Sequence, residues 1–406
     1  MIVLSGAALV LPDRILSPGT LVIVDGRIAE IRPDTTSAHH GQSHFAFHGH
    51  YVVPGFIDVH VHGVDGVDSL DAGSAIDAIA ERLPRYGVTA FCPTTVACGP
   101  DVLRGVLDQV RRARTARGPG AARVLPAHLE SNFINPEYRG AQPAGCLRSP
   151  LDALGGPGEP GGPGAPGGFS ASDIVREIER AAPDVGIVTL APELAGGLDL
   201  VHWLVGHGYR VSLGHSAATY DEAQAAIAAG ARQATHLFNG MPPLDQRSPG
   251  LAGAVLQTEE VAAELICDGV HVHPAMVRMA IAAKHPSRVM AISDATAVAG
   301  LPVGSTASLG GTPITAGRST ALLPDGTMAG GILTMDRVFQ MLVGAIGLSL
   351  VDAATICATT AARELGLVGH GVLAPDAVAD LVILDANFSV AQTYVAGQLV
   401  YTRRAA

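Results

Sequence analysis

The chain has 406 residues, enough to bury a large core in one big domain or two to three smaller ones, and with 48% hydrophobic and 16% charged residues it is not mostly disordered. A formal net charge of −11 argues against nucleic acid or an anionic membrane as the main partner, and no apolar run reaches membrane-spanning length. Five cysteines (Cys92, Cys98, Cys146, Cys267, Cys357) form no CxxC pair and leave an odd one over, and the chain does not open on a signal-peptide pattern, so a reducing cytoplasm is expected and a disulfide framework is not.

Residues 7–11 and 19–24 read as short strands, and the Asp25-Gly26 turn leads into the alternating run 27–32, a hairpin. From Gly55 the rhythm changes. Apolar runs of strand length, each ending in a polar residue and followed by helical spacing, recur at 55–60, 90–94, 123–130, 186–193, 209–215, 233–236, 263–268 and 288–294. These eight runs and the helices between them, such as 220–229 behind a Thr219, Asp221, Glu222 first turn, predict an α/β fold: a (β/α)8 barrel over residues 54–371. A doubly wound open sheet is the alternative, and no glycine-rich dinucleotide fingerprint follows the first strand to favour it. Residues 155–168 are almost wholly Gly, Pro, Ala and Glu and are expected to form a mobile loop. Residues 302–328 carry strand pairs and turns (Gly310-Gly311, Asp325-Gly326) that are expected to return in part to a small β-domain, and 333–346 and 351–365 read as closing helices. The C-terminal runs 380–385, 390–395 and 399–402 alternate as the N-terminal ones do. Residues 1–53 and 372–406 therefore predict one small β-sandwich domain built from both termini.

The chemistry gathers at the strand ends. His60 and His62 lie two apart at the end of a strand and share one face, the interior one in a barrel, next to Asp58. A single buried histidine is usually a satisfied core residue. Two on one inward face each need partners for both ring nitrogens, which points to metal ligation. Glu130, His215, His236 and Asp294 also fall at or just beyond strand ends, the side on which barrels carry their active sites. Imidazoles plus a carboxylate leave an open coordination position for water, the arrangement of a catalytic metal. Asp294 follows Ile292-Ser293, precedes the small-residue loop 295–300 and reads as the general base, its plain alternative being a helix N-cap. A carboxylate there can take a proton from a water whose pKa the metal lowers from about 15.7 toward roughly 7, and return it to a leaving amine. Arg247, in the Pro-rich loop 241–249, reads either as a solvated surface charge or as a guanidinium fork for phosphate.

His60-x-His62 with its Pro54-Gly55-Phe56 lead-in resembles the amidohydrolase superfamily. More narrowly, His128-Leu129-Glu130, Arg139-Gly140-Ala141, Ser212 to Ser216, Thr235 to Met241, Pro249 to Gly253, Asp268 to His271 and Thr334-Met335 resemble the N-acetylglucosamine-6-phosphate deacetylase family, in order and over nearly the whole chain. Strand four ends in Leu190-Ala191-Pro192-Glu193, without the metal-bridging lysine of hydantoinase-like or dihydroorotase-like branches. The resemblance implies that Glu130, His215 and His236 hold the main ion, that His60 and His62 add a second bridged by Glu130, and that Asp294 is the acid/base. It implies that Asn239 and Gly240 touch the sugar or its acyl group, that Arg247 and His271 bind the phosphate, with His271 serving its own or a neighbouring subunit, and that Ala141 and Met328-Ala329-Gly330 line the site. Zinc is the expected ion, with Fe, Mn or Co also suited, and a homodimer acting on a small N-acetyl amino sugar phosphate is the expected assembly.

Two departures mark the substrate as the open question. Ser131-Asn132 stands where the family has Gly-Pro, and Gln142 where it has a histidine that polarises the substrate carbonyl. A glutamine amide still donates a hydrogen bond but carries no proton or positive charge. Beside deacetylation of N-acetylglucosamine 6-phosphate stand two alternatives: deacetylation of another, unphosphorylated or epimeric N-acyl amino sugar of secondary metabolism, and a non-catalytic sugar-phosphate sensor.

Overall fold

The computed structural model describes residues 1–34, 43–116, 118, 120–155 and 168–404, so residues 156–167 of the expected mobile loop lie outside the described residues. Eight parallel strands form the barrel: β1 (Phe56–Val61), β2 (Val88–Thr95), β3 (Ala127–Glu130), β4 (Val185–Leu190), β5 (Arg210–Leu213), β6 (Gln233–Ala234), β7 (Ala262–Ile266) and β8 (Val289–Ile292). Each pairs in parallel with the next, as the eight-run rhythm predicts. The open-sheet alternative is excluded by the seam between β8 and β1. There Val61 bridges Ala295, the Ala295 carbonyl accepts from the His62 and Gly63 amides, and Asp58 on β1 accepts from the Ser293 hydroxyl (2.5 Å) and amide (3.3 Å).

The helices between strands bury one stripe each. In Pro100–Thr115, Leu103, Val106, Leu107, Val110 and Ala113 face the barrel at helical spacing, and Arg112 and Arg114 sit in the last turn, where cations suit the helix dipole. The expected helix behind Thr219 runs Tyr220–Ala228 with a full Thr219/Glu222 capping box. Among the described residues, no helix is long and apolar enough to cross a membrane.

Both termini contribute to one further sheet, ordered Gln398–Thr402, Val390–Val395, Leu381–Leu384, Tyr51–Pro54, Ile2–Val10, Ile15–Val24, Arg27–Pro33, with Ser43–Ala46 also paired to Ile2–Val10. It has its own core, in which Leu4, Leu9, Leu21 and Ile28 meet Leu381, Ile383 and Tyr394. The 302–328 segment does not join it. Thr306–Leu309, Thr312–Ala316 and Ala321–Leu322 form a separate sheet whose apolar face (Leu309, Ile314, Ala321) packs with Val96, Val298 and Ala329. Its apolar side chains find their partners in the loops after β2 and β8, which holds it beside the ends of those strands.

Asp380 ties the terminal domain to the barrel. Its carboxylate accepts from His370 (2.9 Å), the Ala396 amide (2.6 Å) and Arg123 (3.4 Å), and its carbonyl accepts from Gly55. Burial opposes its ionisation, but His370 and Arg123 outweigh burial and hold its pKa below the usual carboxylate range. That stability is present above the unfolded carboxylate pKa of about 3.9 and is lost as pH falls through the folded value. Asp380→Asn is expected to destabilise the fold by about 1–3 kcal/mol at pH 7, read by thermal or urea unfolding, and the gap to the wild type should narrow below about pH 4. A gap that is the same at pH 3.5 and pH 7 would contradict this role.

Candidate metal centre

Glu130, the last residue of β3, is the point on which the strand ends converge. Its Oε1 lies 2.8 Å from His215 Nε2 and 2.9 Å from His236 Nε2, and those two nitrogens are 3.1 Å apart. The proton positions follow from the other ring nitrogens. His215 Nδ1 faces the Tyr138 carbonyl at 2.6 Å and His236 Nδ1 the Asn239 carbonyl at 3.2 Å. A carbonyl only accepts, so in the neutral rings Nδ1 carries the hydrogen and Nε2 presents a lone pair. Two imidazole lone pairs and a carboxylate oxygen thus share one small space with no hydrogen between them, and they repel unless a cation joins them. Their spacing of about 3 Å is what donors each about 2.0–2.1 Å from a common ion would show. The donor set therefore fits a divalent metal.

A second group adjoins it. His60 and His62 Nε2 are 3.1 Å apart, each lies 3.3 Å from Asp294 Oδ1, and His62 Nε2 is 3.5 Å from Glu130 Oε2. Three triads, Glu130/His215/His236, His60/His62/Glu130 and His60/His128/Glu264, have donor atoms close enough to hold an ion. Burial would lower the His60 pKa, yet Asp294, Glu264 and Glu130 outweigh it and raise it to about 10. Burial would likewise raise Glu130 and Asp294, but the surrounding imidazoles pull both down.

Holding these side chains inward strains the backbone. His215, His236 and Asp294 have φ of 48°, 29° and 47°, the left-handed region that disfavours residues with a Cβ by roughly 1–2 kcal/mol each. Neighbours enforce it. Glu193 accepts from Asn135 Nδ2, Ser216 Oγ and the Ala217 amide, clamping the turn after His215. Past Asp294, the Gly331 amide donates to its carbonyl at 2.6 Å, and a Cβ on Gly331 would sit 2.2 Å from the Ser293 carbonyl.

A cavity of about 240 Å³ opens onto the centre, lined by His62, Glu130, His215, His236 and Asp294 together with Ala141, Gln142, Asn239, Gly240, His271, Met328, Ala329 and Gly330. His60 lies fully buried behind them. His271 lines the pocket of its own chain. Its ring is held by Asp268 at 2.6 Å, and although burial disfavours its charged form, Asp268 raises its pKa. Arg247 is exposed and does not line the cavity. Gln142 is more constrained than a free amide: its Oε1 accepts from the Ala97 amide at 2.7 Å, which turns Nε2 toward Glu130 Oε2. One N–H is thus spent on the ligand carboxylate and only the second is open to a substrate. Asn132 donates to the Cys98 and Cys146 carbonyls and Ser131 to the Thr189 carbonyl, so both departures brace the loops around Gln142.

Sequence reasoning missed several residues. Val96, Ile266, Leu309 and Thr327 line the cavity without any polar motif to announce them. Glu264, in the apolar strand β7, accepts from His60 Nδ1 at 3.0 Å, and its signal was a lone charge in a buried run.

Residues 51–400 match the family model described as the amidohydrolase family. The chain is 35% identical to N-acetylglucosamine-6-phosphate deacetylase of Rattus norvegicus, over 96% of this chain and 90% of that one. It is 32% identical to N-acetylgalactosamine-6-phosphate deacetylase of Escherichia coli O157:H7, over 98% of both. Among solved structures, a variant of N-acetyl-D-glucosamine-6-phosphate deacetylase from Mycobacterium smegmatis in complex with N-acetyl-D-glucosamine-6-phosphate superimposes with a TM-score of 0.85 at 32% identity, covering 99% of each chain.

Chelator-stripped protein is expected to melt at a lower temperature than protein given Zn, Mn or Co. An ion at a hundred times its Kd should add about 2.7 kcal/mol of stability. His236→Ala should abolish most of that gain in differential scanning calorimetry, whereas an equal gain in the variant would place the ion elsewhere.

Proposed function

The chain belongs to the amidohydrolase family, and we propose that it deacetylates N-acetylglucosamine 6-phosphate or a close N-acetyl amino sugar phosphate, releasing acetate and the free amino sugar phosphate. The convergence of Glu130, His215, His236, His62 and Asp294 on one cavity, with His60 buried behind them, carries this reading. Glu130, His215 and His236 would hold one divalent ion, zinc first among Zn, Fe, Mn and Co, and His60 and His62 with Glu130 a second. Bound there, such an ion makes water nucleophilic near neutral pH and polarises the amide carbonyl.

The chain's own groups do the rest. Asp294, ionised and facing the open side of the centre, takes the proton of the attacking water and delivers it to the sugar nitrogen as the C–N bond breaks, so the amine leaves neutral. The second N–H of Gln142 is a donor for the carbonyl oxygen as its charge develops. Asn239 and Gly240 border the sugar, and His271, with Asp268 behind it, faces the phosphate.

Among the described residues no lysine or arginine lines the cavity. The exposed Arg247 would reach the phosphate from a neighbouring copy in a homodimer. The same observation favours a second reading, an unphosphorylated or epimeric N-acyl amino sugar. The five free cysteines fit a cytoplasmic enzyme.

Acetate release from N-acetylglucosamine with and without its 6-phosphate separates the readings, and the phosphorylated sugar is expected to be the better substrate. Arg247→Ala should raise KM for that sugar about tenfold or more with little change in kcat; an unchanged KM would remove Arg247 from the site. Asp294→Asn should lower kcat by about 10³-fold or more while the metal content stays as in the wild type. Metal-loaded protein that turns over no N-acyl amino sugar would favour the sensor.

A further inference from the structure

His60 and His62 differ in how they are held. His62 Nδ1 is buried and finds no hydrogen-bond partner among the described residues. His60 Nδ1, by contrast, sits 3.0 Å from Glu264 Oε2, and Glu264 is fully buried inside the barrel. A carboxylate only accepts, so Nδ1 must carry a hydrogen, and Nε2 is left to present its lone pair beside His62, Asp294 and Glu130.

Glu264 is itself held from below. Gln233 Nε2 on β6 donates to Glu264 Oε1 at 2.5 Å, and Gln233 Oε1 accepts from Arg210 Nε on β5 at 2.6 Å. Arg210 in turn donates to the Glu364 carboxylate (2.5 Å) and carbonyl (2.9 Å). Since a guanidinium has no acceptor, it fixes which end of the Gln233 amide faces it, and the amide orientation follows from chemistry. The polarity of every bond from Arg210 to His60 is thereby determined.

We propose that Glu264 is a positioning residue which, oriented through Gln233 by Arg210, commits His60 to ligating the second ion through Nε2. The inference rests on the reading above that His60 and His62 hold an ion. It goes beyond that reading by assigning the function of three residues outside the cavity. His128, beside the same rings, does not compete as a ligand: its nitrogens are taken by the Val59 carbonyl (2.9 Å) and Thr189 Oγ1 (2.7 Å).

The chain of donors makes an unusually specific test. In Glu264→Gln, Gln233 must still donate to residue 264, because Arg210 holds its oxygen. The new amide therefore presents oxygen to Gln233 and NH2 to His60. Nδ1 then has to accept, the hydrogen moves to Nε2, and the ligand is lost at nearly unchanged volume. Adding Gln233→Glu reverses this. Glu at position 233 accepts from both Arg210 and the amide at 264, which turns the amide oxygen back toward His60 Nδ1.

Metal content is measured by inductively coupled plasma mass spectrometry after equilibrium dialysis against Zn or Mn, with melting temperature alongside. Two ions per chain are expected in the wild type. E264Q should weaken binding of one ion about 10–100-fold while keeping the other, and Q233E/E264Q should return it to within a few-fold of the wild type. A merely structural role would not give recovery from a second buried substitution. If the wild type holds two ions and E264Q retains both at unchanged affinity, or if the double variant fails to recover the lost ion, the positioning role is overturned. A wild type that binds one ion, unaffected by His60→Ala, would instead sink the second-ion reading and this inference with it. Should E264Q not fold, the double variant decides alone: it is expected to fold and bind both ions, and failure to do so counts against the proposal.

Discussion

Much of the structure is arranged around the crowding of metal-binding donors at Glu130. Three groups with unshared electron pairs, from β3 and from the turns after β5 and β6, are held about 3 Å apart where water is largely excluded. In low dielectric that arrangement is costly without a cation, and the rest of the molecule has to prevent the side chains from turning away. Backbone carbonyls of Tyr138 and Asn239 hold the outer ring nitrogens, Gln142 holds the free carboxylate oxygen, and Glu193 holds the turn after His215. A metal would convert the same contacts from repulsive to cohesive, so ion binding and the order of the barrel mouth are energetically linked.

The strained φ values belong to the same constraint. A parallel strand that simply continued would point alternate side chains into and out of the barrel, and would carry His215, His236 and Asp294 past the centre. The left-handed turn at each residue swings the side chain back across the barrel axis. It is tolerated because bonds from neighbouring loops fix the next residues: Ser216 to Gly240, Leu237 to Glu264, Gly331 to Asp294. Strain and support are thus contributed by different strands, which is why the centre exists only once the barrel has closed.

This division explains what was legible in the sequence. Strand ends were readable because each apolar run stops at a polar residue, and six such residues of metal-binding type made a pattern that packing does not produce. The terminal β-domain was readable from alternation at both ends. The placement of 302–328 was not, because short strand pairs look alike whichever core they join, and only the packing of Leu309 and Ala329 against Val96 and Val298 directs this one to the barrel mouth. Arg247 and Gln142 carried the right chemistry, but the exposure of the first and the Ala97 contact that turns the second depend on loop geometry. Glu264 was hidden for a different reason: its partners lie on β1 and β6, and no spacing along β7 encodes them.

The bonds from His60 to Glu364 also bear on why a barrel interior would contain so many polar groups. Each of Glu264, Gln233 and Arg210 would be destabilising if buried alone, and each is satisfied only by the next. An apolar filling of equal volume would stabilise the barrel at least as well, since buried polar networks seldom exceed good packing. What apolar filling lacks is direction. A chain that begins at a guanidinium, which only donates, and passes through an amide to a carboxylate delivers a defined acceptor to His60 Nδ1. The polar interior thus carries information about a proton's position from the base of the barrel to its mouth, and the loops at the mouth need not supply it.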